Sequence, residues 1–166
     1  HLEFDGFEYD SKKIKKNYIF FAIQGSNFNG NNFITDAIKN GAKIIVSNKF
    51  KTGIVNGIFY IKVFDTRLAL SIFASKFYSI KPKNIIGVTG TNGKSSVASF
   101  YYQILKLNKK KVASIGTLGV ISNNFNLKLE NTTSDPITIN KLLFKLKKKK
   151  INNVILEASS HGLYQK

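Results

Sequence analysis

The sequence predicts an α/β fold, with a small amino-terminal α/β domain followed by a second domain built on a mostly parallel sheet. Three observations carry this. Short apolar runs alternate with segments of helical period along the chain, the pattern of a sheet covered by helices. A charged stretch with a proline, Lys81-Pro82-Lys83, interrupts the alternation and reads as a linker. Directly after it, an apolar strand pattern runs into a glycine-rich turn. A chain of 166 residues holds one ordinary domain or two small ones, so we expect domains at 1–81 and 82–166.

In the first half, Tyr18-Ile19-Phe20-Phe21-Ala22-Ile23 is an apolar run closed by Gln24-Gly25, a buried strand. Residues 32–40 have helical spacing, with Phe33, Ile34, Ala37 and Ile38 on one face and Asn40-Gly41 as the stop. Residues 42–46 and 58–63 read as strands. Thr66 or Asp65 caps a helix that carries Leu68, Leu70, Ile72, Phe73 and Phe77 and ends near Tyr78.

The second half opens with Asn84-Ile85-Ile86-Gly87-Val88, a buried-strand pattern, then the glycine-rich turn and a helix over 94–107. Residues 112–115 and 120–121 read as strands, with Asn123-Asn124 as a turn. Asp135-Pro136 starts another helix, Asp as N-cap and Pro at the first position. Ile139, Leu142, Leu143 and Leu146 share its inner face. Its tail, Lys147-Lys148-Lys149-Lys150, sits where cations favour the negative end of the helix dipole. Val154-Ile155-Leu156 is a short strand that delivers Glu157. No internal repeat is visible.

Composition narrows the class. Hydrophobic residues make up 43% and charged residues 21%, enough to bury a core and unlike a disordered chain. The absence of cysteine excludes a disulfide scaffold, a thiolate metal site and a cysteine nucleophile. No apolar run approaches the roughly 20 residues of a membrane-spanning helix, and the polar first ten residues are no secretory signal. There is no methionine, even at position 1, so we expect a piece of a longer protein.

Lys plus Arg is 26 against 9 Asp plus Glu, a net charge of +17. Clustered cations invite a nucleic-acid reading. Yet Arg67 is the only arginine, and the chain is crowded with Asn, Ile and Phe, the residues AT-rich codons supply. Arginine is the better residue for bidentate phosphate contacts, so the lysines read as a solvated surface.

Gly87-Val88-Thr89-Gly90-Thr91-Asn92-Gly93-Lys94-Ser95-Ser96 is the most informative stretch. A strand ending in a tight turn aims several backbone N–H groups at one point, and the following helix turns its positive end to the same point. Glycines let phosphate oxygens approach the backbone. Lys94 would neutralise the outer phosphates and the Ser95 hydroxyl would ligate Mg²⁺. The alternative is an ordinary turn with a chance Lys-Ser. The strict pattern wants glycine where Val88 stands; glycines fall instead at 87, 90 and 93.

That departure points further. Thr89-Gly90-Thr91-Asn92-Gly93-Lys94-Ser95 resembles the ATP loop of the Mur ligase and folylpolyglutamate synthetase superfamily. Asp10-Ser11-Lys12-Lys13-Ile14 with Ile19-Phe20-Phe21-Ala22-Ile23-Gln24-Gly25 resembles the amino-terminal signature of MurE-type ligases, the UDP-N-acetylmuramoyl-tripeptide synthetases. Asn131-Thr132-Thr133-Ser134-Asp135-Pro136 resembles their sugar-peptide segment, and Glu157-Ala158-Ser159-Ser160-His161-Gly162-Leu163 their central acidic motif.

The resemblance implies a cytoplasmic ligase, monomeric at full length, that uses ATP and Mg²⁺. It would add diaminopimelate or lysine to UDP-N-acetylmuramoyl-L-alanyl-D-glutamate through an acyl phosphate, with no membrane or nucleic-acid partner. Phosphorylation turns a carboxylate with a poor leaving group into one an amine can attack, so the protein mainly positions reactants and offsets charge. Gly90, Thr91, Asn92, Gly93, Lys94, Ser95 and Ser96 would hold ATP. Lys94, Glu157 and His161 would be catalytic, with Ser95, Glu157 and His161 at the metal. Asn131, Thr132, Thr133, Ser159 and Gln165 would bind the muramoyl peptide; Ser11, Ser26, Asn27 and Phe28 would hold the uridine diphosphate. Ser134 and Asp135 read as helix caps instead. Lys12 stands where the family commonly has arginine, which removes any bidentate contact there. The amino-acid-receiving carboxy-terminal domain would lie beyond Lys166, so this piece alone would not ligate. A folylpolyglutamate synthetase-like ligase, a basic nucleic-acid-binding module and a decayed gene product are the alternatives.

Overall fold

The structure, a computed structural model, describes residues 3–25, 28–123, 126–128 and 135–159. The chain divides into two compact units, His1–Ile72 and Phe73–Lys166. Among the described residues no helix is long and apolar enough to cross a membrane.

The first unit is a five-stranded sheet in the order β1-β2-β3-β5-β4. Its strands are β1 (Gly6–Glu8), β2 (Tyr18–Phe21), β3 (Ala42–Ser47), β4 (Gly53–Val55) and β5 (Ile58–Lys62). All pair in parallel except β4 with β5. Phe20, Ala22, Ala42 and Ile45 pack against Ile34 and Ala37 of α1 (Ile34–Lys39). Two strands escape the sequence reading. β1 has a single buried residue, Phe7, and owes its existence to pairing with β2 rather than to its own pattern. β4 is closed onto β5 by Asn56-Gly57, both at positive φ; Asn-Gly between apolar residues is a hairpin signal the sequence does carry.

The helix expected over 32–40 begins as a 3-10 turn, Gly30–Phe33, and becomes α-helical at Ile34. Phe33, expected on the inner face, is 39% exposed, because the tighter turn rotates it off the side that Ile34 and Ala37 bury. The expected strand from Tyr18 stops at Phe21. In α2 (Thr66–Phe77), Asp65 is the cap: its Oδ1 accepts from the backbone N–H of Arg67 at 2.9 Å and Leu68 at 3.0 Å. Leu70 and Ala74 are the fully buried residues of that helix.

The second unit carries a sheet in the order β6-β10-β7-β8-β9. These are β6 (Asn84–Val88), β7 (Val112–Gly116), β8 (Gly119–Ser122), β9 (Asn126–Leu127) and β10 (Asn153–Glu157). β6, β10 and β7 run parallel; β8 and β9 turn back antiparallel. β10, the last strand in sequence, inserts between the first two. α4 (Pro136–Lys148) lays Leu142, Leu143 and Leu146 onto Ala113, Ile115, Val120 and Val154, as its spacing predicts. Asp135 Oδ1 caps it, accepting from Ile137 N–H at 2.9 Å and Thr138 N–H at 3.1 Å. α3 (Lys94–Leu107) packs on β7 and β10 through Ala98, while its Val97, Phe100, Ile104 and Leu107 are exposed.

Candidate functional site

The turn after β6 is built by backbone geometry. Gly90 has φ 146° and Gly93 φ 80°; Gly93 is the N-cap of α3 without any side-chain cap. A left-handed residue there costs a side chain dearly, and glycine little. The uncapped first N–H groups of α3 therefore face the turn. Lys94, the first residue of α3, folds back so that Nζ donates to the carbonyls of Gly90 at 2.6 Å and Thr91 at 3.2 Å. Its cation thus sits over the loop.

β10 runs beside β6 with Glu157 opposite Val88, and Ala158 N–H donates to the Val88 carbonyl at 2.9 Å. That pairing brings Glu157 to the mouth of the turn. Ser95 Oγ donates to Glu157 Oε2 at 2.7 Å, and Thr117 Oγ1 donates to the same oxygen at 3.5 Å. Glu157 is only 4% exposed, and a buried carboxylate needs such partners. Beside it lies a cavity of ≈ 60 Å³ whose lining includes Ser95, Ser99, Tyr102, Ser114 and Glu157.

The structure thus brings together the turn residues Gly90 to Ser96 with Glu157. Ser159 is half-buried just past Glu157. Asn131, Thr132, Thr133, His161 and Gln165 lie outside the described residues, and no cluster of three His, Cys, Asp or Glu occurs among those described. In the first unit, Ser11 is buried in a short 3-10 turn capped by Asp10, and its carbonyl accepts from Asn40 Nδ2 at 2.9 Å. Phe28 is 73% exposed; Ser26 and Asn27 lie outside the described residues.

Sequence reasoning missed Gly116, Thr117 and Asn31 around these points. Gly116 and Thr117, beside Glu157, carry no charge or motif to mark them. Asn31 frames the loop at Phe28: its Oδ1 accepts from Ser47 Oγ at 2.7 Å, and its Nδ2 donates to Asn48 Oδ1 at 3.2 Å. Gly25 N–H donates to the Phe28 carbonyl at 2.7 Å, and Gly30 N–H to that of Ile23 at 2.8 Å. The run of asparagines here resembles generic turn chemistry, so its network was not legible.

A mostly parallel sheet whose first strand ends in a glycine turn, a helix starting Lys-Ser and an acid on the adjacent strand together have the architecture of the phosphate-binding-loop class. Residues 3–78 match the Mur ligase family catalytic domain and residues 88–166 the Mur ligase middle domain. The chain belongs to the Mur ligase family.

Two relatives are UDP-N-acetylmuramoyl-L-alanyl-D-glutamate–2,6-diaminopimelate ligases. That of Rickettsia montanensis is 43% identical over 164 residues, covering 96% of this chain and 34% of the relative. That of Fusobacterium nucleatum is 43% identical, covering 97% and 33%. A solved ligase of the same description superposes with a TM-score of 0.78 at 28% identity over 98% of this chain and 33% of that one. A MurF ligase from Thermotoga maritima, solved in complex with ADP, shares the fold at 24% identity and TM-score 0.58, covering 93% of this chain and 32% of that one. The chain spans about a third of the length of the relatives it matches.

Proposed function

We propose that this chain is the substrate- and ATP-seating part of an ATP-dependent ligase that adds an amino acid to UDP-N-acetylmuramoyl-L-alanyl-D-glutamate in peptidoglycan precursor synthesis. The names of its relatives favour diaminopimelate as that amino acid; a cytoplasmic setting is part of this proposal. Residues 1–81 would hold the uridine diphosphate end through Ser11 and the loop Ser26-Asn27-Phe28; residues 82–166 would hold ATP and the muramoyl peptide. The carrying observation is the 2.7 Å contact of Ser95 with Glu157 at the mouth of the glycine turn.

The donor set fits Mg²⁺. A hydroxyl and a buried carboxylate are hard oxygen ligands, and Mg²⁺ takes one or two carboxylates plus substrate phosphates rather than an all-protein cage. Ser95 and Glu157 would hold it, with His161 as a further ligand; bound there, it would offset the repulsion between phosphate and substrate carboxylate. The chain's own residues do the rest. The turn's N–H groups and the Gly93–Lys94 helix start bind phosphate oxygens. Lys94 exchanges its two loop carbonyls for the outer phosphates. Asn131, Thr132, Thr133, Ser159 and Gln165 orient the muramoyl peptide toward them.

Titrating the chain with ATP in the presence and absence of Mg²⁺ tests this. We expect Mg²⁺-dependent ATP binding and no amide formation from the chain by itself. Amide formation by residues 1–166, or ATP binding indifferent to Mg²⁺, overturns it.

A further inference from the structure

We infer that Gly116 is a positioning residue for Glu157, its missing side chain being the space in which the carboxylate lies; this rests on the function proposed above. β10 and β7 pair with Leu156 opposite Ile115, so Gly116 is the next residue across from Glu157. A Cβ built on Gly116 would overlap Oε1 and Cδ of Glu157 and come within 2.7 Å of its Cγ. All three nearest atoms belong to that one side chain. Glu157 therefore does not stand away from the sheet as strand side chains ordinarily do. It folds across β7, and this is what carries Oε2 to Ser95 Oγ at 2.7 Å and to Thr117 Oγ1 at 3.5 Å.

Two features separate this role from ordinary glycine use. Gly116 is not among the residues at positive φ, so alanine meets no backbone penalty there. The obstacle is one side chain, from Cγ outward, rather than backbone, so rotation of Glu157 relieves it without moving the strands. What cannot be kept is the carboxylate's position beside Ser95. The adjoining cavity, which Gly116 also lines, is wide enough to admit water and gives a displaced carboxylate somewhere to go. Alanine at 116 should leave the protein folded with its acid turned from the glycine turn.

The test is a double-mutant cycle on the chain, reading ATP affinity with and without Mg²⁺ by calorimetry and melting temperature alongside. Gly116→Ala should abolish most of the Mg²⁺-dependent gain in ATP affinity, a loss of tenfold or more, with melting temperature unchanged. Glu157→Ala keeps none of the three atoms that lie over position 116 and removes that gain by itself. Adding Gly116→Ala to it should then change affinity less than twofold. Retained Mg²⁺ dependence in Gly116→Ala overturns the inference, as does a further tenfold loss of ATP affinity in the Glu157→Ala background. Should Gly116→Ala lower the melting temperature, the same substitution in the Glu157→Ala background must not lower it further; an equal loss in both backgrounds also overturns the inference. Absence of Mg²⁺-dependent binding in the unaltered chain instead sinks the underlying functional reading, and this one with it.

Discussion

Ser95 and Glu157 stand 62 residues apart in sequence and share a hydrogen bond of 2.7 Å. The contact exists because β10 enters the sheet beside β6, so the strand that presents the acid ends next to the strand that presents the glycine turn. A hydroxyl and a carboxylate are thereby fixed at the mouth of the glycine turn.

Lys94→Ala should cost ATP affinity without costing the fold. Its Nζ contacts are two carbonyls of its own exposed loop, so nothing buried is left unpaired. A charge-assisted hydrogen bond carries about 1.5–3 kcal/mol, which converts to roughly a 10- to 100-fold loss of affinity. Calorimetric titration with Mg²⁺ and ATP, beside an unchanged circular dichroism spectrum, checks this. Binding equal to the unaltered chain refutes the lysine's role.

Gly30→Ala should disturb the loop proposed for the uridine diphosphate. A Cβ there would meet the backbone of Ile23 at 2.5 Å and of Ala22 at 2.6 Å, and backbone cannot swing aside. Overpacking of this kind costs about 1–3 kcal/mol. We expect a lower melting temperature for the first unit and weaker binding of UDP; unimpaired UDP binding would detach this loop from the ligand.

Asp135→Ala removes the cap of α4, which satisfies two backbone N–H groups through one oxygen. The loss should be about 1 kcal/mol, or roughly 2–4 °C in the melting temperature of a chain this size. Asp135→Asn should recover most of it, because the amide oxygen accepts the same bonds.

Leu146→Ala should be far more damaging. Leu146 is fully buried among Ala113, Ile115 and Val154, and a cavity left in such a core costs about 2–5 kcal/mol. Urea denaturation should show a clearly lower midpoint; a shift as small as that of Asp135→Ala would mean that α4 is held mainly by something other than this core.

Local features were readable wherever one residue type answers to one physical demand. Asp135-Pro136 announced a helix start, and Leu142, Leu143 and Leu146 its buried face. The glycines at 90 and 93 announced a turn that side chains would obstruct. Phe33 was misread because a 3-10 turn precedes α1, and no residue in 30–33 signals the switch of period. β1 was missed because its three residues become a strand only through β2.

By itself the sequence determined the α/β class, the glycine turn with its Lys-Ser helix start, and the acid at the end of a late strand, since each is encoded by neighbours in the chain. Only the tertiary structure decided that β10 lies between β6 and β7, that Glu157 reaches Ser95, and that Gly116 makes room for it. Strand order depends on which apolar faces pack together once helices cover the sheet, a many-body choice that no local spacing records.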